Sequence, residues 1–141
     1  GRRLAEAPLP IARPIGGPEA VARHFLPRLG RRDRESFHVL LLDGRHRLVG
    51  EEEVSVGTLT ASLVHPREVF RGAIRAAAAA LVLVHNHPSG DPQPSGEDRA
   101  VTRRLADAGR LLGIEVLDHV VVARGGHFSF REAGELPLAP G

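Results

Sequence analysis

The chain of 141 residues contains no cysteine, methionine, tryptophan or tyrosine, and all 19 of its basic residues are arginine. Without cysteine there can be no disulfide, thiolate zinc site, iron–sulfur cluster or cysteine nucleophile. Any metal must therefore be held by His, Asp or Glu. The Arg-only usage and the missing residue types read as the bias of a genome or of a heat-adapted proteome, and say little about function. An excess of one charge is also lacking. The net charge is only +2, so the pI near 10.7 reflects late-titrating arginine, not a basic surface, and nucleic-acid binding gains little support from it. No apolar run approaches the roughly 20 residues of a membrane span, and no signal segment opens the chain. The expectation is a soluble, cytoplasmic protein with no membrane partner. Gly1 in place of Met points to a fragment or a processed product.

A chain of this length suits one domain, able to bury on the order of 70% of the surface its unfolded form exposes. Residues 1–16 carry Pro8, Pro10, Pro14 and Gly16 with few apolar anchors, which reads as a linker or the stub of a missing upstream domain. The folded domain is expected over 17–134, and 135–141 as a tail. Gly17-Pro18-Glu19 opens a helix with Val21, Phe25, Leu26 and Leu29 on one side and Gly30 as its stop. Glu35 to Leu42 reads as a central strand, Asp43-Gly44 as a turn, and Arg47 to Val56 as its hairpin partner. A short strand is expected around Ser62 to Val64, then a helix from His65-Pro66 running into Ala76 to Ala80. A helix from Ser95 to Leu112 puts Val101, Leu105, Ala108, Leu111 and Leu112 on one stripe, with Gly113 ending it. Strands over Ile114–Ala123 and His127–Phe130 complete an α/β fold, a single mixed β-sheet flanked by helices.

The most informative stretch is Leu81 to Asp98. Its apolar run ends in His85-Asn86-His87, and a Pro/Gly loop leads to Ser95 and Asp98 at a helix start. Residues two apart on a strand share a face, so His85 and His87 point together and Asn86 points away. Two imidazoles and the Asp98 carboxylate suit one zinc ion at roughly 2.0–2.2 Å, with a fourth tetrahedral position left open, as in catalytic sites. Ser95 sits one helical turn before Asp98, where its hydroxyl could donate to an oxyanion formed beside the metal. Helix capping alone also accounts for Ser95 and Asp98, since Ser95-Gly96-Glu97-Asp98 mimics a capping box. Asn86, Ser89 and Asp91 have side chains suited to Asx-type turns in the loop.

These residues closely resemble the JAB1/MPN/Mov34 (JAMM) metalloenzyme superfamily, and within it the RadC-like proteins. The resemblance rests on His85-Asn86-His87-Pro88-Ser89-Gly90, on Pro94-Ser95 followed by Asp98, on Val64-His65-Pro66-Arg67-Glu68, and on Leu117-Asp118-His119-Val120. It covers roughly residues 18–134 and implies a JAB1/MPN-like, cytidine-deaminase-like layering. It also implies zinc bound by His85, His87 and Asp98, and Ser95 stabilising a tetrahedral intermediate. An upstream Glu is general base in that superfamily, at the head of a strand and two residues before an aromatic. Glu35, followed by Ser36 and Phe37, fits that placement; Glu51, Glu52 and Glu53 are the competitors, in an acidic cluster that looks solvated. Asn86 stands where many active members carry Ser or Thr, and Asn is usual in the RadC-like branch.

The implied activity is metallopeptidase-like or isopeptidase-like hydrolysis of a peptide or protein substrate. The competing readings are a DNA-associated role, from the branch's historical DNA-repair name, and a zinc-stabilised binding module without turnover. Four further residues are candidates to orient the ligands or shape the site: His65, Asn86, Asp118 and His119. For His65 the alternative is a helix N-cap, and for Asp118 and His119 a plain strand pair.

Overall fold

In the computed structural model, residues 14–57, 60 and 62–136 are described, and these form three helices and five strands. Helix α1 spans Pro18–Leu29, strands β1 and β2 span Ser36–Leu42 and Leu48–Val56, and α2 spans Pro66–Arg75. Strand β3 (Ala80–Asn86), helix α3 (Gly96–Leu112) and strands β4 (Glu115–Ala123) and β5 (Gly126–Ser129) follow. The strands make one mixed sheet in the order β2-β1-β3-β4-β5. Only β3 and β4 run parallel, joined by the crossover through α3. The expected linker and the end of the expected tail lie outside the described residues, apart from Pro14 to Gly16. There Pro14 bridges to Arg47, and the Ile15 amide donates to His46 O at 2.9 Å.

Every residue of β1 and β3 is buried, as continuous apolar runs in central strands require. Alternate residues feed two cores. Leu40, Leu42, Val82, Val84, Val120 and Val122 pack under α1 through Val21, Phe25 and Leu29. On the opposite face, Val39, Leu41, Leu81 and Leu83 pack under α2 and α3 through Val69, Phe70, Val101 and Leu105. The sheet is thus covered on both sides, and its functional side chains emerge at one end.

Several local expectations are corrected. Ser62 to Val64 forms a turn and bend, not a strand, and α2 stops at Arg75 because the chain must enter β3 by Ala80. Leu26 of α1 and Leu111 and Leu112 of α3 face outward, Leu111 being 90% exposed. The buried stripe of α3 is instead Asp98, Val101, Thr102, Leu105, Ala106 and Gly109. Gly113, at φ 72°, closes that helix in the left-handed conformation.

The strand directions converge the motif. β1 and β3 are antiparallel with Phe37 opposite His85, so continuing the register outward by two residues sets Glu35 beside His87. β3 feeds the loop that starts α3, so the first turn of α3 lies over the same end of the sheet. Ligand sites in such α/β folds form outside the carboxyl ends of strands.

Candidate metal centre

His85 is fully buried at the end of β3, and His87 is half-buried just beyond it. Their Nε2 atoms lie 3.0 Å apart. Asp98 closes the triangle, with Oδ1 3.1 Å from His85 Nε2 and Oδ2 2.9 Å from His87 Nε2. Glu35 is half-buried beside them, and Glu35, His85 and His87 each offer a ligand atom within 4.8 Å of one another. Among the described residues this is where imidazole and carboxylate groups come closest to a metal-binding arrangement. Asp98 completes the tight triangle and Glu35 stands at its rim.

Local structure fixes each of these groups. Ser95 caps α3: its Oγ accepts from the Asp98 amide at 3.1 Å, while its own amide donates to Asp98 Oδ2 at 2.7 Å. The capping box read from the sequence is therefore real, and it points the other carboxylate oxygen at His85. The Ser95 hydroxyl hydrogen takes no part in that box, and the residue is exposed. His87 Nδ1 donates to Asp91 O at 2.8 Å. A carbonyl only accepts, so in the neutral ring the proton sits on Nδ1 and the Nε2 lone pair faces the triangle. The loop carrying Asp91 is pinned by Gly125, whose amide donates to Gly90 O at 2.9 Å. A Cβ at Gly125 would lie 2.6 Å from that same oxygen, so only glycine allows the approach.

The electrostatics suit a cation. Burial alone would raise the Asp98 carboxyl, but the neighbouring His85 and His87 imidazoles and the Ser95 amide hold it far below the usual carboxylate range. Burial would lower His87, yet the adjacent Asp98 carboxylate, the Asp91 carbonyl and the negative charge of Glu35 raise it above its ordinary value. Acceptors converge here with anionic charge around them, and a divalent ion fits that donor set.

The remaining candidates separate cleanly. His119 is fully buried behind His85, with Nε2 2.7 Å from His85 Nδ1. Burial and the neighbouring His85 hold its imidazole well below its ordinary value, so it is neutral. Asp118 is not at the centre. Its carboxylate accepts from its neighbour's amide at 2.7 Å, Ser129 Oγ at 2.6 Å and the Arg131 amide at 3.0 Å, tying β4 to β5 and the turn beyond. The cause is an irregularity in the β3–β4 register between Leu81 and Val82, which sets Asp118 opposite Val82 and His119 opposite Leu83. His65 makes no side-chain cap at α2, and no side-chain hydrogen bond or ion pair links it to another described residue.

Asn86 turns to the opposite face. Its Oδ1 accepts from the Ser36 amide at 2.7 Å and from Ser36 Oγ at 3.1 Å, and its Nδ2 donates to Arg34 O at 3.0 Å and Leu29 O at 3.4 Å. Ser89 and Asp91 do form short turns within the loop, at 3.3 and 3.0 Å; Asn86 does not. It clasps the backbone on both sides of Glu35. The competing carboxylates point elsewhere: Glu51 pairs with Arg28 at 2.8 Å, Glu53 with Arg32 at 2.6 Å, and Glu52 lies over Gly72 of α2.

The family model of the RadC-like JAB domain matches residues 15–135, which hold the whole sheet and the histidine cluster. The chain belongs to the RadC-like JAB domain family. Curated relatives of this RadC-like domain agree. It is 56% identical over 136 residues to a UPF0758 protein of Symbiobacterium thermophilum, covering 96% of this chain and 58% of that protein. It is 52% identical over 135 residues to a UPF0758 protein of Rubrobacter xylanophilus, covering 96% and 59%. A UPF0758 protein of Thermotoga maritima is 56% identical over 104 residues, 74% of this chain and 47% of that protein. The RadC-like domain thus spans somewhat over half the length of the first two relatives. No helix among its described residues is long and apolar enough to cross a membrane.

Thr102 had not stood out in the sequence. Its Oγ1 donates to Asp98 O at 2.7 Å and lies 2.5 Å from His119 Nδ1. The available signal was a hydroxyl one turn after Asp98, in the middle of an otherwise apolar stripe.

Proposed function

We propose that the RadC-like domain is a zinc-dependent hydrolase of amide bonds, with a peptide or isopeptide link as substrate. His85, His87 and Asp98 hold the ion, Glu35 is the general base, and Ser95 steadies the developing oxyanion. The observation that supports this most directly is the triangle of two imidazole nitrogens and one carboxylate, 2.9–3.1 Å on its edges, with a second carboxylate at its rim. Two histidines and one carboxylate are a donor set suited to zinc with one position open. When bound, the ion supplies Lewis acidity, polarising a carbonyl and bringing the pKa of water down toward about 7.

The chain's own groups do the rest. Glu35, held at the mouth and not capped by the Ser95 amide as Asp98 is, takes the proton from the attacking water and returns it to the leaving amine. Ser95, exposed at the first turn of α3, offers its unused hydroxyl hydrogen to the oxyanion while its lone pair continues to cap the helix. His87 and Asp98 are fixed by the loop carbonyl and the cap, so the geometry is preorganised.

The test is Glu35→Gln on zinc-loaded protein with a set of peptide and isopeptide-linked substrates. Hydrolysis is expected to fall by roughly 100-fold or more, the scale of a lost general base, with zinc content unchanged. Equal hydrolysis in variant and wild type removes Glu35 from the reaction. Zinc binding with no hydrolysis by the wild type across those substrates leaves a zinc-stabilised module instead.

A further inference from the structure

We propose that Thr102 and His119 form a relay that sets the tautomer of His85, presenting its Nε2 lone pair to the metal. The inference rests on reading His85 as a ligand; it brings in Thr102 and gives His119, so far only a candidate to orient the ligands, a specific task. The chain of contacts is continuous and buried: Asp98 O to Thr102 Oγ1 at 2.7 Å, Thr102 Oγ1 to His119 Nδ1 at 2.5 Å, and His119 Nε2 to His85 Nδ1 at 2.7 Å. Thr102 is 1% exposed and both imidazoles are fully enclosed, so no solvent competes for these bonds.

Within the three relay contacts the donors are ordered from the carbonyl end. Asp98 O is a carbonyl and can only accept, so it takes the single hydroxyl hydrogen of Thr102. Thr102 Oγ1 must then accept, which puts a proton on His119 Nδ1. In the neutral ring His119 Nε2 is left as an acceptor, so His85 must carry its proton on Nδ1. In the neutral His85 ring the Nε2 is then the bare nitrogen, and it faces the triangle. His87 reaches the same tautomer by a shorter route, through the Asp91 carbonyl. His85 has no backbone carbonyl as its Nδ1 partner; it borrows one from Asp98, three contacts away.

The relay is also held mechanically. His119 stacks on Phe130, with centroids 4.8 Å apart and planes 7° from parallel, and meets Phe37 edge-on at 5.8 Å. These rings fix the imidazole plane, leaving the proton position as the one degree of freedom that Thr102 sets. Asp98 closes the circuit. Its carbonyl anchors one end of the relay while its carboxylate lies 3.1 Å from His85 Nε2 at the other. Thr102 and His119 are therefore positioning residues: neither touches the ion, and both act through His85.

The experiment compares Thr102→Val, nearly isosteric but without a hydroxyl, with Thr102→Ser, which restores it. Zinc affinity is measured by chelator competition, and His85 and His119 tautomers are read from imidazole nitrogen shifts in the metal-free protein. Thr102→Val frees His119 to place its proton on Nε2, facing His85. His85 Nε2–H should then appear, and the zinc dissociation constant should rise about 10–100-fold, the usual cost of losing an outer partner. Thr102→Ser should bind zinc like wild type. Should Thr102→Val fail to fold, Thr102→Ala reads the same two quantities. A His85→Ala control separates the failures. Undiminished zinc binding in His85→Ala overturns the ligand assignment and the relay with it. Loss of zinc in His85→Ala, but wild-type affinity and tautomers in Thr102→Val, overturns the relay alone. Equal losses in the Val and Ser variants also overturn it, since the effect would then be one of packing.

Discussion

At its last two residues β3 sends hydrogen-bond networks to opposite faces of the sheet, and the two are built to different ends. Toward α3, His85 leans on His119 and Thr102, and the network leaves an acceptor beside two others. Toward α1, Asn86 makes four bonds to Leu29, Arg34 and Ser36 and spends every polar atom it has. The first face gathers two imidazole nitrogens and a carboxylate at 2.9–3.1 Å from one another, and the second uses the Asn86 side chain to hold backbone. One strand therefore carries both the site and the clamp that aligns Glu35, because successive side chains alternate.

Asn86→Ala is the most severe way to break this division. It orphans the buried Ser36 amide and removes the side-chain donor to the part-buried Arg34 carbonyl, while Leu29 O keeps the Arg32 amide, and should cost about 3 kcal/mol, read as a lower urea midpoint. If the face toward α1 is only a clamp, zinc affinity should stay within about threefold, well below the 10–100-fold cost of losing an outer ligand partner. A larger loss of zinc affinity would merge the two networks into one.

A pH titration sharpens the same comparison. His38 ends the network toward α1, with Nε2 3.0 Å from Ser36 Oγ and Nδ1 buried without a partner among the described residues. Burial pushes its imidazole down to about 4, against the pull of Glu53 and Glu51, with Arg28 and Arg32 adding to the fall. The folded state thus binds fewer protons at His38 than the unfolded state does. Its stability contribution is complete above pH 6.5 and is lost as pH falls from 6.5 toward about 4, a total on the order of 3 kcal/mol. Urea midpoints of wild type against His38→Leu should differ in slope only across that window. Parallel curves would remove His38 from the acid limb.

The smallest expected effect separates capping from chemistry at Ser95. Ser95→Ala should destabilise by about 1 kcal/mol, and Ser95→Gly by only a few tenths. If the hydroxyl acts on the oxyanion, both variants lose hydrolysis equally. Activity that tracks stability in the two would leave Ser95 as a cap only.

Much of this was legible in the sequence. Strand periodicity alone put His85 and His87 on one face and Asn86 on the other. The Ser95 and Asp98 spacing specified the helix start, and the apolar second half of β1 specified a covered central strand. The misses share a cause. Asp118 and His119 could not be told apart because the β3–β4 irregularity breaks the alternation between Val116 and Asp118. Leu111 and Leu112 fit the helical stripe of α3, but there the helix turns Gly109 to the sheet and leaves both leucines exposed. Asn86 reads locally as a loop former, while its partners lie 50 to 57 residues away in sequence.

The sequence by itself determined the candidate ligand types, their spacing and the face each strand residue takes, because spacing and face follow from local backbone geometry. Glu35 needed both levels: its place in the chain suggested it, and the antiparallel β1–β3 register brought it to His87. Only the tertiary structure decided the donors and acceptors behind the ligands. A tautomer depends on what the far nitrogen meets. For His85 that partner is His119, 34 residues away on a strand whose register is set by a bulge.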